Sequence, residues 1–416
     1  VIARPFVLLA LLGAAFAAPG ALCAQEKAGK DKAPALAGKG KEDDEVARTK
    51  LDPYTGGDAA LLQQAGHTAY GPFVWSKETR TEDIDRVLGE GRVLWLETAH
   101  FRIGCNLRTV AIPEKQVQRK AIHDEVALLR KKLPKIPDKP KRLDPWLRMH
   151  LFAARAEKLY AEVEAMMLAG GAKFGTAKQP PDGPFLGLPD KFLLLVFQKK
   201  SDLARYFDRF CGVQADRSFS YYLPTSHQFL YGVSLEGLEV EDDPSLHSHV
   251  LYGLAGNLTN GLRGYSYRMP PWIAEGLAHV VSRRVETEFV NVTVKDDEAV
   301  NEEDQHLWPK KVRARAQYER TRIPFSQMAL WQKNQDMGYH GELQAWSRVD
   351  FLMKQDTQKL GTLLVRMKSL PISFEGTKPE DWAQMQATAL QEIYGWDGAT
   401  FDAKWREFVL ETYPKK

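Results

Sequence analysis

Cysteine is scarce: three residues in 416, at positions 23, 105 and 211, with no Cys-x-x-Cys spacing. That excludes a disulfide scaffold and the common zinc-ribbon or thioredoxin-like redox patterns. An excess of charge of one sign is also lacking. Fifty-seven Lys and Arg against fifty-four Asp and Glu leave +3, so no global field for a polyanion follows, and no nucleic-acid partner is expected. No Gly-x-Ser-x-Gly elbow and no Gly-x-x-x-x-Gly-Lys-Ser/Thr phosphate loop occurs, and no repeat is visible. With 44% hydrophobic and 27% charged residues, composition excludes disorder and collagen-like chains. Long apolar runs are missing except at the N-terminus, and that one is too short to span a bilayer.

That N-terminal run is the first positive feature. Arg4 precedes Phe6-Val7-Leu8-Leu9-Ala10-Leu11-Leu12, which continues through small residues to Ala18. One charge, an apolar stretch and a small-residue region read as a secretory signal peptide over residues 1–24, cleaved after Ala17 or near Ala24. Leu22 stands where a lipoprotein would need a small residue before Cys23. The expected location is periplasmic or extracellular, with no membrane span in the mature chain. In an oxidising compartment Cys105 and Cys211 either form one bridge or remain two separate thiols. Residues 25–50 carry seven basic and six acidic residues and no aromatic, and read as a disordered linker.

The remainder divides into an α/β portion over 51–242 and a helical portion over 243–416. Strands are expected at 93–96, 100–103, 192–197, 220–223 and 229–233, the last two as a hairpin. Asp144-Pro145 opens a helix whose stripe is Met149, Phe152, Ala156, Leu159, Val163 and Met166, stopped by Gly170-Gly171. Ser201-Asp202 should cap another helix, and Asp243-Pro244 a third. Residues 114–142 hold ten basic and four acidic residues without interleaved aromatics, which favours a solvated helix and linker over a nucleic-acid platform. Strands first and helices afterwards give an α+β class. Asp52-Pro53-Tyr54-Thr55-Gly56-Gly57 reads as turn chemistry. The acidic cluster at 239–243 lacks the spaced ligands and glycine of a calcium loop, with Asp243 committed to capping, and the cluster at 296–304 reads as a solvated loop.

The informative stretch runs from Asp243 to Arg284. A first helix bears Leu246, Val250, Leu251, Leu254 and Leu258. A connection with Gly261 and Gly264 leads to Pro270-Pro271-Trp272-Ile273-Ala274-Glu275-Gly276-Leu277-Ala278-His279 on a second helix. This pattern resembles the gluzincin-type zinc metallopeptidases of the peptidase MA-like superfamily, whose second zinc helix commonly reads Trp-x-x-Glu-Gly-x-Ala, here Trp272 to Ala278. The resemblance implies a mixed sheet and helices followed by a helical part, strongest over 243–284. It also implies His-Glu-x-x-His on the first helix, two histidines one turn apart holding zinc and a glutamate as general base. Counting back from Glu275 by the family spacing gives Tyr252-Gly253-Leu254-Ala255-Gly256. Tyr252 and Gly256 replace the ligands and Gly253 replaces the base.

His247 and His249 restore no other register, and two residues apart they face different sides of a helix. What remains is Glu275, with His279 one turn on, and His249 one turn before Tyr252. The favoured expectation is that Tyr252 hydrogen-bonds Glu275 in place of the metal, with His279 a satisfied polar residue at the helix surface. Function then reads as a non-catalytic, exported peptide, protein or cell-envelope binding protein without a cofactor, with Trp272 and Tyr252 as binding residues. The alternative is a metal-dependent hydrolase holding zinc through His249, Glu275 and His279.

Overall fold

A six-stranded mixed sheet organises the N-terminal portion. The computed structural model describes residues 51–265, 267–291, 306–372 and 376–415, so the expected signal peptide, charged linker and acidic cluster at 296–304 lie outside the described residues. The strands are β1 (His67–Tyr70), β2 (Leu94–Thr98), β3 (Phe101–Cys105), β4 (Phe192–Phe197), β5 (Ser218–Leu223) and β6 (Gln228–Ser234), in the order β1-β2-β3-β4-β6-β5. β4 pairs in parallel with both β3 and β6, while the outer pairings are antiparallel. The hairpin expected from the sequence is β5–β6.

β4 is apolar without interruption because both sheet faces are covered there. Phe192, Leu194 and Val196 point into the larger core, and Leu193, Leu195 and Phe197 into a smaller one with Trp75, Trp95 and Phe207. Cys105 belongs to the first core, and Cys211 packs against the second. Opposite faces of the sheet thus separate the two cysteines, and both are free thiols.

Among the described residues, ten longer helices follow or intervene: α1 (Gln116–Lys132), α2 (Pro145–Ala169), α3 (Lys200–Cys211), α4 (Asp243–Gly261), α5 (Pro271–Ser282), α6 (Trp308–Gln317), α7 (Gly338–Gln355), α8 (Thr357–Met367), α9 (Pro379–Tyr394) and α10 (Gly398–Thr412). The class is α+β. Asp144 caps α2 through the Trp146 and Leu147 amides, as its sequence position before a proline implies. The α3 cap differs from expectation: Lys199 occupies that position with no side-chain bond, and Asp202 sits in the first turn. Among the described residues, no helix is long and apolar enough to cross a membrane.

The largest hydrophobic cluster runs from Tyr54 to Tyr413 and joins the sheet to the C-terminal helices. Asp52 is a hub rather than a simple turn residue. Its carboxylate accepts from Thr55 Oγ1 at 2.8 Å, His150 Nε2 at 3.1 Å and the Tyr70 hydroxyl. Those bonds hold its charge and keep its pKa below the usual carboxylate range despite burial.

α8 crosses the end of α2 at glycine-to-backbone distance. A Cβ on Gly361 would lie 2.0 Å from the Met166 carbonyl oxygen, and one on Gly170 would lie 2.2 Å from the Gly361 carbonyl carbon. Gly361→Ala is therefore expected to destabilise the chain by roughly 1–3 kcal/mol or more through overpacking against backbone. Urea unfolding should show a lowered midpoint; an unchanged midpoint would mean the crossing has slack.

Candidate functional site

α4 packs on β6, and α5 packs between α4 and α7. The α4 cap is Asp242, which accepts from the Ser245 amide at 2.8 Å. Asp243, expected in that role, is instead wholly buried and pairs with Arg155 at 2.6 Å. Leu246, Val250, Leu254 and Leu258 are buried as expected. Along all of α4, only Tyr252, Gly256 and Asn260 keep partial exposure. They are four residues apart, so they form one stripe along a single face.

Glu275 on α5 reaches toward this stripe. Tyr252 Oη donates to Glu275 Oε2, and Asn334 Nδ2 donates to Glu275 Oε1 at 2.5 Å. Both carboxylate oxygens therefore have donors. Glu275 is hemmed in while retaining a sliver of exposure. Burial, and then the neighbouring Glu342 carboxylate, push its pKa above the usual value, against the opposing effect of the Tyr252 hydrogen bond.

His279 is not at the surface. It is 1% exposed and wedged against the rings of Trp308 and Tyr252, at 4.6 and 5.0 Å between centroids. Its Nε2 lies 3.2 Å from Glu342 Oε2. Burial lowers its pKa to about 3, so the ring is neutral and Nε2–H is the donor. α7 was expected to be helical, but its acidic contribution to this cluster was not anticipated.

His249 turns the other way. Its Nδ1 lies 2.6 Å from Asn291 Oδ1, and its Nε2 is buried with no hydrogen-bond partner. Burial again dominates, lowering its pKa to about 4. The Tyr252 ring neighbours both histidines, 6.2 Å from His249 and 5.0 Å from His279. His247 lies on yet another side of α4, 3.9 Å from Glu125.

The two glycines of the window have opposite surroundings. A Cβ on Gly253 would fall 2.0 Å from the Tyr231 ring, whereas a Cβ on Gly256 meets nothing within 4 Å. Tyr231 Oη also reaches the His249 carbonyl at 3.4 Å. Trp272, expected as a binding residue, is completely buried. Its indole N–H donates to Gln386 Oε1 at 2.9 Å and its ring packs on Phe325 and Phe401. It is a core residue that holds α5 to the C-terminal helices.

A zinc ion does not fit these side chains. Position 252 offers a phenol already committed to Glu275, and position 256 offers no side chain. His279 Nε2 is engaged by Glu342, and His249 is directed to Asn291. Among the described residues, no three His, Cys, Asp or Glu side chains converge as a metal-holding group.

Asn334, Glu342, Tyr231 and Trp308 complete the site without having been singled out in the sequence. Glu342 had a readable signal, since it interrupts the apolar stripe Tyr339, Leu343, Trp346 and Val349 of α7. Tyr231 shares with Phe229 and Val233 the inward alternation of β6. Asn334, in a short loop before α7, carried no such signal.

Gly256→Ala should be neutral or stabilising by up to about 1 kcal/mol, because alanine is the better helix former and the space is open. Gly253→Ala should cost about 1–3 kcal/mol or more. Paired denaturation curves check both, and equal shifts would contradict the geometry. Because the Glu275 pKa is raised in the fold, its contribution to stability is fully present below the unfolded carboxylate pKa and is lost as pH rises through the folded value. Glu275→Gln should therefore flatten the decline in unfolding free energy between acidic and neutral pH, measured by denaturation across that range. No family model, curated protein or solved structure matches the chain, so its functional reading rests on this geometry and the sequence pattern.

Proposed function

We propose that the chain is an exported, non-catalytic protein on a gluzincin-like scaffold. It binds a peptide, protein segment or cell-envelope ligand over the partly exposed face of α4 that carries Tyr252, Gly256 and Asn260. The observation that carries this reading is the closed Tyr252–Glu275–Asn334 set, which satisfies the carboxylate that the resemblance assigns to zinc. An unpaired carboxylate there would be costly, and two donors remove the cost without a metal.

Two further features support a binding role. Gly256 leaves open space over α4, so an occupant meets no side chain at that position. β5 is an outermost strand of the sheet and packs near α4, with Tyr222 among the residues set against the larger core. An edge strand offers unpaired backbone groups, which suits an extended peptide.

The second reading, a hydrolase with unconventional ligands, draws on one observation: the unpartnered Nε2 of buried His249. Its weakness is that the Tyr252 ring neighbours both histidines it would need and that a general base has no candidate.

Purified protein is expected to hold no stoichiometric zinc by elemental analysis, and Gly256→Trp should abolish capture of peptides from an array while leaving the fold intact. Tight zinc that is lost in Glu275→Ala would transfer the assignment to the hydrolase.

A further inference from the structure

The chain's charge is near balance overall but not locally. Residues 128–142 hold seven Lys and Arg against one acid, Asp138, a net +6 where the whole chain carries +3. These cations sit on a built platform. The segment after α1 turns back along the helix: Arg130 Nε donates to the Ile136 carbonyl at 3.2 Å, and His123 Nε2 lies 3.2 Å from the Pro140 carbonyl oxygen. Leu133 and Ile136 are buried in the larger core, and Arg142 pairs with Ala111 in a short antiparallel ladder. Pro134, Pro137 and Pro140 further restrict the backbone.

Little acid faces this surface. Asp138 stands 4.0 Å from Arg130, and Asp124, two turns before Lys131 on α1, pairs with Lys120 at 2.7 Å. The neighbouring short helix Ala59–Ala65 carries no charge beyond its cap, Asp58. Lys131, Lys132, Lys135, Lys139, Lys141 and Arg142 are exposed and, among the described residues, make no ion pair.

Apolar side chains are exposed beside them. Among the described residues, Val117, Leu51 and Leu128 are the most exposed large apolar side chains, at 76%, 66% and 61%. Val117 and Leu128 are three turns apart and share one line along α1, and Lys120 and Lys131 each follow one of them by three residues. Ile122, Val126 and Leu129 face the core instead. Leu51 adjoins the cationic segment through a glycine turn: a Cβ on Gly57 would lie 3.2 Å from Leu51 Cδ2, and one on Gly56 3.4 Å from Lys135 Nζ.

Cations set among exposed aliphatic groups favour one occupant. Each Lys or Arg near an anionic bilayer strengthens attachment about fivefold, and aliphatic side chains gain by entering the boundary between headgroups and acyl chains. A soluble polyanion would use the cations alone, and residues 114–142 hold no aromatic ring for stacking on bases.

We infer that α1 and the segment after it form a peripheral attachment surface for an anionic phospholipid bilayer. The six unpaired cations lie over the headgroups, Val117 and Leu128 reach into the interface, and Leu51 stands at the edge. This surface uses none of the residues of the α4 reading and stands or falls apart from it.

Sedimentation of the full-length protein with vesicles tests this, using equimolar phosphatidylglycerol and phosphatidylcholine against phosphatidylcholine alone. Binding to the anionic vesicles should exceed binding to the neutral ones roughly tenfold or more, and should fall as salt rises from about 0.1 M to about 0.5 M. Lys131→Gln with Lys132→Gln should weaken it roughly thirtyfold. Val117→Ser with Leu128→Ser should weaken it roughly tenfold or more while leaving binding to dextran sulfate unchanged. All four positions are exposed, so both variants should keep the wild-type melting temperature. Wild type and variants share one N-terminus, so differences between them report this face. The inference is overturned if anionic vesicles are not preferred or if the lysine pair binds them as the wild type does. It is equally overturned if the serine pair loses nothing, which would make a soluble polyanion the occupant.

Discussion

A carboxylate placed in the seam between two packed helices must find donors, and much of the C-terminal architecture is arranged around that requirement at Glu275. α5 is held from both sides, by α4 on one and α7 on the other. Gly276 lets α7 come close enough that a Cβ there would lie 2.6 Å from Val349. That approach brings Glu342 beside Glu275, which raises the cost of charge in the seam. Tyr252 from α4 and Asn334 from the loop before α7 offset it by donating to separate oxygens. His279 stays neutral and serves Glu342 instead. The cluster is thus a polar network in which neighbouring carboxylates draw donors from different elements, which ties the seam's register to its hydrogen bonding.

Much of the fold was legible because it rests on local signals. The continuous apolar run at 192–197 could only be a strand covered on both faces, and Asp144-Pro145 could only open a helix. Cap positions were less readable where two acidic residues adjoin. Asp242 and Asp243 are equivalent by propensity, and what separates them is Arg155, eighty-eight residues earlier in the chain. The Tyr252–Glu275 bond was legible only through the resemblance, whose spacing from Glu275 sets position 252 opposite it. Its third member was not, because Asn334 reaches Glu275 from a loop whose path depends on how α7 docks. Trp272 shows the opposite error. An aromatic beside a motif residue reads as functional, yet its position at the helix entry places it in the core, where Gln386 satisfies its indole.

α4 carries different chemistry on its different sides. Tyr252, Gly256 and Asn260 form its partly exposed stripe, while Asp243 and His247 line a pocket together with Glu125, Arg155 and Arg284. Burial keeps His247, His249 and His279 uncharged, so the helix pair presents no imidazolium at neutral pH.

The Tyr231–Gly253 contact has a consequence for ancestry and for engineering alike. The ring of Tyr231 occupies the place where any side chain at 253 would begin. A side chain can be introduced there only if the Tyr231 ring shifts or shrinks, whatever happens at 252 and 256. A glutamate at 253 thus depends on a change at a residue of the neighbouring strand as well as on its own codon. Positions 231 and 253 are therefore coupled, and substitutions at the two should be strongly non-additive in stability.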